Sequence, residues 1–474
     1  MSPDTGVTRQ QARRAALLQK LGTARPAQEV LEPCPQGSGI APASYGQEGL
    51  WFIDQLDPDN ARYSVPLAFR FRGELAVAAL RQALDALLAR QAALRTTFVD
   101  DDGEPRQKVT APSEVPLQVT DLSTLPEEEQ AAELQRCLDA EAQRGFDLAT
   151  GPLFVASLLV MGPGDHILLL NVHHIVFDGW SLGIVVRELC ELYGAAVQGR
   201  PPRLEPQAME YADYARWERD WLRGDESRAQ AAYWRRQLAR VPHLELPADR
   251  PRPAVASVDG ASLRFALPEE LRAAVVRVSA EEHVTPFMLF LAVFQTVLAR
   301  GTGQPDVAVG TPMANRPLPG TQQLVGYFVN SVVLRTDLSS AGTFREVLRR
   351  VREVALGAYE NQTYPFARVV AELVPGRDPG RPPLFQVMFV MHEESWEQAQ
   401  WPGLTVESLE FPAETSVFDV TLVVMLSGHG ISGEINFRTD LFELSSMKRL
   451  ADEFTQVLQR VLHHPAEDMK TLLS

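Results

Sequence analysis

The sequence predicts an α+β protein of two lobes, each a two-layer sandwich of helices on a sheet. Three observations carry this. The chain is 474 residues long, more than one compact core usually serves. Strand-like and helix-like patterns occur in comparable amounts in both halves, without the regular βα alternation of a parallel-sheet fold. Two proline-rich stretches, Gly199–Pro206 and Pro242–Pro253, interrupt the middle, and either suits a junction between lobes.

The elements follow in order. Residues 1–38 form an N-terminal extension in which Thr8–Leu21 suits a short helix, ended by Pro26, Pro33 and Pro35. Val65–Arg72 alternates as a strand. Val77, Leu80, Leu84, Leu87 and Leu88 then recur at helical spacing. Thr96–Thr120 reads as short strands turning at Asp101–Gly103. Pro126 followed by three glutamates, Glu127 to Glu129, marks a helix start. The strands Leu153–Val160 and His166–Val176 flank a Gly-Pro-Gly turn. A helix over Ser181–Val197 follows, with Leu182, Val185, Val186, Leu189 and Tyr193 on one face. Past the proline-rich stretches come a strand at Leu263–Leu267 and helices at Glu269–Ala280 and Pro286–Arg300. Strands at Asp306–Thr311 and Phe328–Leu334 precede a helix at Phe344–Tyr359. A strand-rich stretch, Leu384–Phe437, leads to a closing helix at Ser445–Leu462.

Composition excludes several function classes. Hydrophobic residues make up 45% and charged residues 22% of the chain, an ordinary globular balance. No apolar run approaches the ~20 residues of a membrane helix, and no signal peptide opens the chain, so no membrane association is expected. The net charge is −16, from 45 basic and 61 acidic residues, which argues against nucleic acid as the main ligand. Three cysteines, Cys34, Cys137 and Cys190, show no CxxC spacing, in keeping with a reducing, cytoplasmic setting and no structural zinc. There is no Walker A sequence and no GxGxxG fingerprint, so neither a nucleotide nor another bound cofactor is indicated.

Chemistry concentrates in Asn171-Val-His173-His174-Ile-Val-Phe-Asp178-Gly179-Trp180-Ser181. Strand alternation puts His174 on the face of Leu168, Leu170, Val172 and Val176, with His173 opposite. Neighbouring imidazoles that point apart do not share a metal, so no metal site is expected. Asp178-Gly179 turns the chain out of the strand into a helix, whose free N–H groups suit a developing oxyanion. A histidine there suits general-base acyl transfer, while a satisfied core imidazole is the bland alternative. Gly179-Trp-Ser181-Leu-Gly183 also fits the G-x-S-x-G elbow of serine hydrolases, with His243, His283, His392 and His429 downstream. No HGGG-type sequence accompanies it, and Ser181 equally suits a helix N-cap.

His173-His174-Ile-Val-Phe-Asp178-Gly179 resembles the HHxxxDG signature of condensation domains of nonribosomal peptide synthetases. Ser44-Tyr-Gly-Gln47-Glu-Gly-Leu50-Trp51 resembles the family's first motif, with Gly49 in place of arginine. Arg90-Gln-Ala-Ala-Leu94-Arg95-Thr-Thr-Phe98 resembles RHExLRTxF, with Gln91 and Ala92 replacing His and Glu. Tyr211-Ala-Asp213-Tyr214-Ala-Arg-Trp217 and Val325-Gly326-Tyr-Phe328-Val329-Asn330-Ser-Val-Val-Leu-Arg335 fit the fourth and fifth motifs. Asn361-Gln362-Thr-Tyr-Pro365-Phe366 lacks the acidic residues of the sixth, and Arg377-Asp378 to Leu384 resembles the seventh.

The resemblance implies a pseudo-dimer of two chloramphenicol-acetyltransferase-like lobes with the active site in a tunnel between them. Gly199–Pro206 then becomes the junction, giving a first lobe over 39–203 and a second over 204–474. It implies His174 as the catalytic base, with His173, Asp178 and Gly179 as support. Asp178 would pair with an arginine, for which Arg95 and Arg335 are the candidates by position. Trp180, Ser181, Asn330 and Ser331 become candidates for the tunnel wall. The implied reaction moves an acyl or aminoacyl group from the phosphopantetheine arm of a peptidyl carrier protein to an amine or alcohol, in natural-product biosynthesis. The absence of adenylation and carrier motifs gives the expectation of a free-standing enzyme, with the carrier acting in trans and a small-molecule or carrier-bound acceptor. Two other readings stay open: a coenzyme-A-dependent acyltransferase of the same superfamily, and a recruitment module like the degenerate condensation-type domains that dock oxygenases.

Overall fold

The structure is a computed structural model that describes residues 39–473, apart from 57–60, 317, 375, 377, 394–399, 410, 412–414 and 429. The helix expected at Thr8–Leu21, and Cys34, lie outside the described residues.

Fourteen strands form among the described residues: β1 (Ile40–Pro42), β2 (Ser64–Arg72), β3 (Thr96–Asp101), β4 (Glu104–Val109), β5 (Gln118–Asp121), β6 (Phe154–Gly162), β7 (Asp165–His173), β8 (Gly260–Leu267), β9 (Asp306–Met313), β10 (Asn330–Asp337), β11 (Val387–Glu393), β12 (Thr405–Leu409), β13 (Val420–Ser427) and β14 (Gly430–Arg438). One sheet has the order β12-β2-β7-β6-β5, a second β10-β9-β11-β13-β14-β8, and a small third β1-β4-β3. Most neighbours are antiparallel; β5 runs parallel to β6, and β11 parallel to both β9 and β13.

In the first lobe the helix Val77–Arg90 packs with the helix Gly179–Gln198 over one face of the sheet. Helical spacing brings Leu80, Leu84 and Leu87 into one row, and all three are fully buried. Each contributes about 1.5–3 kcal/mol by leaving water. Leu168, Leu170 and Val172 of β7 face this core, as the alternation predicts. Ile167 and Leu169 point the other way, into a smaller cluster with Leu138 of the helix Glu127–Ala142. In the second lobe the helix Pro286–Thr302 is apolar nearly all round and almost wholly buried, between the sheet and the helices Glu270–Glu281, Phe344–Glu360 and Leu444–His463. No single described helix is long and apolar enough to cross a membrane.

The lobes share structure beyond the junction expected near residue 203. Strand β12, from late in the chain, pairs with β2 at the edge of the first sheet. Met209, Tyr211, Tyr214, Val325 and Phe328 pack into the first lobe's core. These crossings bring Arg316 and residues 318–328 of the second lobe against the end of β7.

Candidate active site at the end of β7

Strand β7 ends at His173, three residues earlier than the alternation predicts, and His174–Val176 form one turn of 3-10 helix. The reason is burial. Ile175, Val176 and Phe177 are all fully buried. Three successive residues of a strand cannot all face one core, whereas a tight turn can bury them together. The His174 N–H donates to the Tyr63 carbonyl at 2.7 Å and the Phe177 N–H to the His174 carbonyl at 3.0 Å, so the turn leaves neither group unpaired. Gln47, from the helix Tyr45–Leu56, adds a bond from its side-chain amide to the Ile175 carbonyl at 3.0 Å.

The two imidazoles occupy different surroundings. His173 is buried between Tyr63 and Phe146, and its Nδ1 accepts the Ile175 N–H at 3.1 Å. Burial, with a smaller contribution from His174, pushes it down to about 3, so this ring is a neutral structural group. His174 is only half-buried. Its Nδ1 lies 2.6 Å from the Phe177 carbonyl oxygen. A carbonyl only accepts, so this contact requires a proton on Nδ1 and leaves the Nε2 lone pair free in the neutral ring. The ring meets Tyr327 edge-to-face, with centroids 5.2 Å apart.

Asp178 caps the helix Gly179–Gln198 by accepting the Ser181 N–H at 2.8 Å. The cap is therefore Asp178, and Ser181 sits one turn inside, contrary to the N-cap expected of it. The partner of Asp178 is Arg316, whose Nη2 lies 2.9 and 3.1 Å from the two carboxylate oxygens. Both side chains are nearly sealed from solvent, at 2% and 3% exposure. Asp178 also accepts the Phe328 N–H at 3.1 Å. Arg316 donates through Nη1 to the Thr321 and Leu324 carbonyls and lies over the Phe328 ring, 4.0 Å from its centroid. Burial pulls Arg316 below the usual guanidinium range, and Asp178 opposes this.

Neither arginine expected at Asp178 is there. Arg95 bonds the Thr110 carbonyl just past β4 and lies 4.0 Å from Glu210. Arg335 lies five residues beyond Asn330 on β10, where it pairs with Asp306 at 2.7 Å. The sequence offers one local cue to Arg316: it stands between Asn315 and Pro317 in the loop after β9, where neither helix nor strand claims it.

The tunnel-wall candidates divide. Trp180 is 49% exposed, and its indole N–H donates to the Gln322 carbonyl at 3.0 Å. Gly179 is exposed beside it. Ser331 is half-buried opposite Pro312. The polar atoms of the other two are committed to the protein. Ser181 Oγ is fully buried, 2.7 Å from Asp178 Oδ1, and accepts the Gly326 N–H at 3.1 Å, so its hydroxyl is a structural link and not a free nucleophile. Asn330 donates to the Gln362 and Tyr364 carbonyls and accepts the Phe366 N–H, clamping the loop before the helix Phe366–Leu373.

Beneath this site lies Glu218, fully buried, with Oε2 accepting the Tyr45 N–H at 2.8 Å and Oε1 3.3 Å from the Tyr214 hydroxyl. Burial pushes its carboxyl from 4.5 up to about 7, against the lowering by the Tyr45 and Tyr214 bonds and Arg219. Between these two values the folded chain holds a proton that the unfolded chain releases, so this group's contribution to stability falls as pH rises. Glu218→Gln stays neutral. Its unfolding free energy relative to the parent should therefore improve by up to about 3 kcal/mol between pH 4.5 and pH 8. Thermal unfolding at both pH values measures this; a gap independent of pH contradicts it.

The Condensation domain family profile matches residues 38–474. A linear gramicidin synthase polypeptide of Brevibacillus parabrevis is 40% identical over 445 residues, covering 93% of this chain but only 6% of that protein. Among solved structures, the complex of the X-domain and OxyB from teicoplanin biosynthesis superposes with a TM-score of 0.84 at 27% identity, over 95% of this chain and 99% of that one. SgcC5 from Streptomyces globisporus gives 0.73 at 28% identity, over 89% and 98%. The chain thus spans a small fraction of the gramicidin synthase and nearly the whole of two solved chains. Its two sheets, set in two interlocked lobes, are the chloramphenicol-acetyltransferase-like arrangement of these domains. The chain belongs to the condensation-domain family of nonribosomal peptide synthetases.

Proposed function

We propose that this chain transfers an acyl or aminoacyl group from the phosphopantetheine thioester of a carrier protein to an amine or alcohol, with His174 as the proton acceptor. The observation that carries the reading is the short contact between His174 Nδ1 and the Phe177 carbonyl, which leaves Nε2 as the basic nitrogen of a ring only half withdrawn from solvent. The acceptor's nitrogen or oxygen attacks the thioester carbon, forming C–N or C–O, and the C–S bond breaks. The acceptor's proton passes to His174 Nε2 and then to the departing thiolate. A thiol with a pKa near 8.5 leaves readily, so no strong general acid is needed. A base contributes about 10²–10⁴-fold, and orientation supplies much of the rest. The base matters more for a hydroxyl acceptor, because an amine is already nucleophilic when neutral.

We further propose that the carrier can be a separate protein and the acceptor a diffusible molecule. SgcC5, which this chain resembles over almost its full length, was solved with a small aryl diol, in keeping with a hydroxyl-bearing acceptor. The second reading is recruitment of a partner protein, and the X-domain solved with OxyB supports it. The hydrogen-bonded His174 and the buried Asp178–Arg316 pair favour catalysis. Steady-state kinetics with the donor on its carrier, on coenzyme A and on a short pantetheine mimic test the proposal. A carrier preference of about tenfold or more is expected, because binding remote from the reacting carbon helps the transition state. Equal kcat/KM for all three contradicts carrier docking, and a preference for coenzyme A points to the related acyltransferases. A strict need for a second loaded carrier contradicts the diffusible acceptor.

A further inference from the structure

The loop 324–328 is held at every residue by side chains from elsewhere. Arg316 takes the Leu324 carbonyl at 2.6 Å, and Gln91 Oε1 accepts the Val325 N–H at 3.1 Å. Ser181 Oγ accepts the Gly326 N–H, the Tyr211 hydroxyl donates to the Tyr327 carbonyl at 2.5 Å, and Asp178 accepts the Phe328 N–H. Gln91 is itself fixed by Glu188, 2.8 Å away. Gly326 has no room for a side chain, because a Cβ there would lie 2.1 Å from the Tyr211 ring. So rigid a backbone determines where its side chains go. Of these, Tyr327 meets His174, with ring planes at 86°. Behind Tyr327 stands Gly46, where an added Cβ would lie 3.0 and 3.1 Å from Tyr327 Cε1 and Cδ1. The tyrosine ring is thus wedged between the helix Tyr45–Leu56 and the imidazole.

We infer that Tyr327 is a positioning residue: its ring, fixed by the anchored loop and by Gly46, holds the His174 imidazole in the plane that keeps Nδ1–H on the Phe177 carbonyl and Nε2 toward the acceptor. This rests on the role proposed for His174. The contact adds a second restraint to a half-buried histidine that has one hydrogen bond to a local carbonyl: the edge-to-face ring opposes rotation about the bond that would release the carbonyl. The hydroxyl of Tyr327 plays no part in this, and the ring does.

Three substitutions separate the possibilities. Tyr327→Phe keeps the ring and should retain kcat within about threefold, whereas Tyr327→Leu should lower kcat by about 10–100-fold with the KM for both substrates little changed. Gly46→Ala pushes the ring from behind without touching His174 and should give an intermediate loss. Nitrogen-15 NMR of the free protein, assigned with His174→Ala, supplies a readout independent of turnover. The parent and Tyr327→Phe should show His174 as the single Nδ1-protonated neutral tautomer, and Tyr327→Leu an averaged one. Retention of the His173 signals reports that the variant is folded. An unchanged His174 tautomer in folded Tyr327→Leu overturns the inference, and so does an equal loss in Tyr327→Phe. An inactive parent that nonetheless shows the tautomer change refutes the catalytic reading and leaves the positioning contact standing.

Discussion

His174→Ala lowers the rate of acyl transfer by about 10²–10⁴-fold, the contribution of a positioned general base, and leaves the fold intact. The fold survives because the turn around His174 is closed by backbone bonds, from His174 N–H to Tyr63 and from Phe177 N–H to the His174 carbonyl. Single-turnover transfer beside thermal unfolding measures both halves. The loss should be larger with a hydroxyl acceptor than with an amine, because the hydroxyl depends more on proton removal during attack. A folded variant within tenfold of the parent on both acceptors contradicts the assignment. An acyl-enzyme accumulating on Ser181 contradicts it differently, by requiring a nucleophile whose hydroxyl the structure holds between Asp178 and Gly326.

Arg316→Ala costs about 3–5 kcal/mol of stability, the usual penalty for leaving one member of a buried pair uncompensated. The Asp178 carboxylate would lose its guanidinium partner while still tied to the Ser181 and Phe328 amides. The Thr321 and Leu324 carbonyls would also each lose a guanidinium hydrogen bond. Arg316→Lys should rescue little, since one ammonium cannot span both the carboxylate and the two carbonyls. Arg335→Ala is the control: its pair with Asp306 is partly exposed and is worth about 0–1 kcal/mol. Denaturant unfolding of the three variants decides the matter. Comparable losses at Arg316 and Arg335, or a loss below about 1 kcal/mol at Arg316, contradict this account of Asp178.

The contrast between those arginines shows where sequence reading reaches its limit. The helix Val77–Arg90 and strands β2, β6 and β7 were legible because period 3.6 or 2 is a local property, and burial followed it closely. The separation of the two histidines was expected from the same alternation, but the strand ends at His173 and the 3-10 turn, not the alternation, sets the direction of His174. The pairing of Asp178 with Arg316 joins positions 138 residues apart, and the place of Arg316 between Asn315 and Pro317 marks a loop without naming its partner. Motif position suggested Arg95 and Arg335, yet Arg95 closes the 3-10 turn before β3 beside Glu210, and Arg335 stands on β10 with Asp306. Strand β12 is a similar case. A strand was expected in Leu384–Phe437, but its place beside β2 in the other lobe is a long-range pairing that no local pattern records. Gln91 shows the reverse: a residue that departs from the family motif proves to be a buried strut between Glu188 and the Val325 amide.

The most direct test mixes the chain with a carrier protein loaded with an acyl or aminoacyl thioester and a free or carrier-bound amine, in a single turnover followed by mass spectrometry of every species. The parent should convert the thioester into amide with release of the carrier thiol, and His174→Ala should leave it intact. Stoichiometric binding of a partner protein, with no amide formed by the parent from any donor and acceptor pair that a related condensation domain turns over, would contradict this.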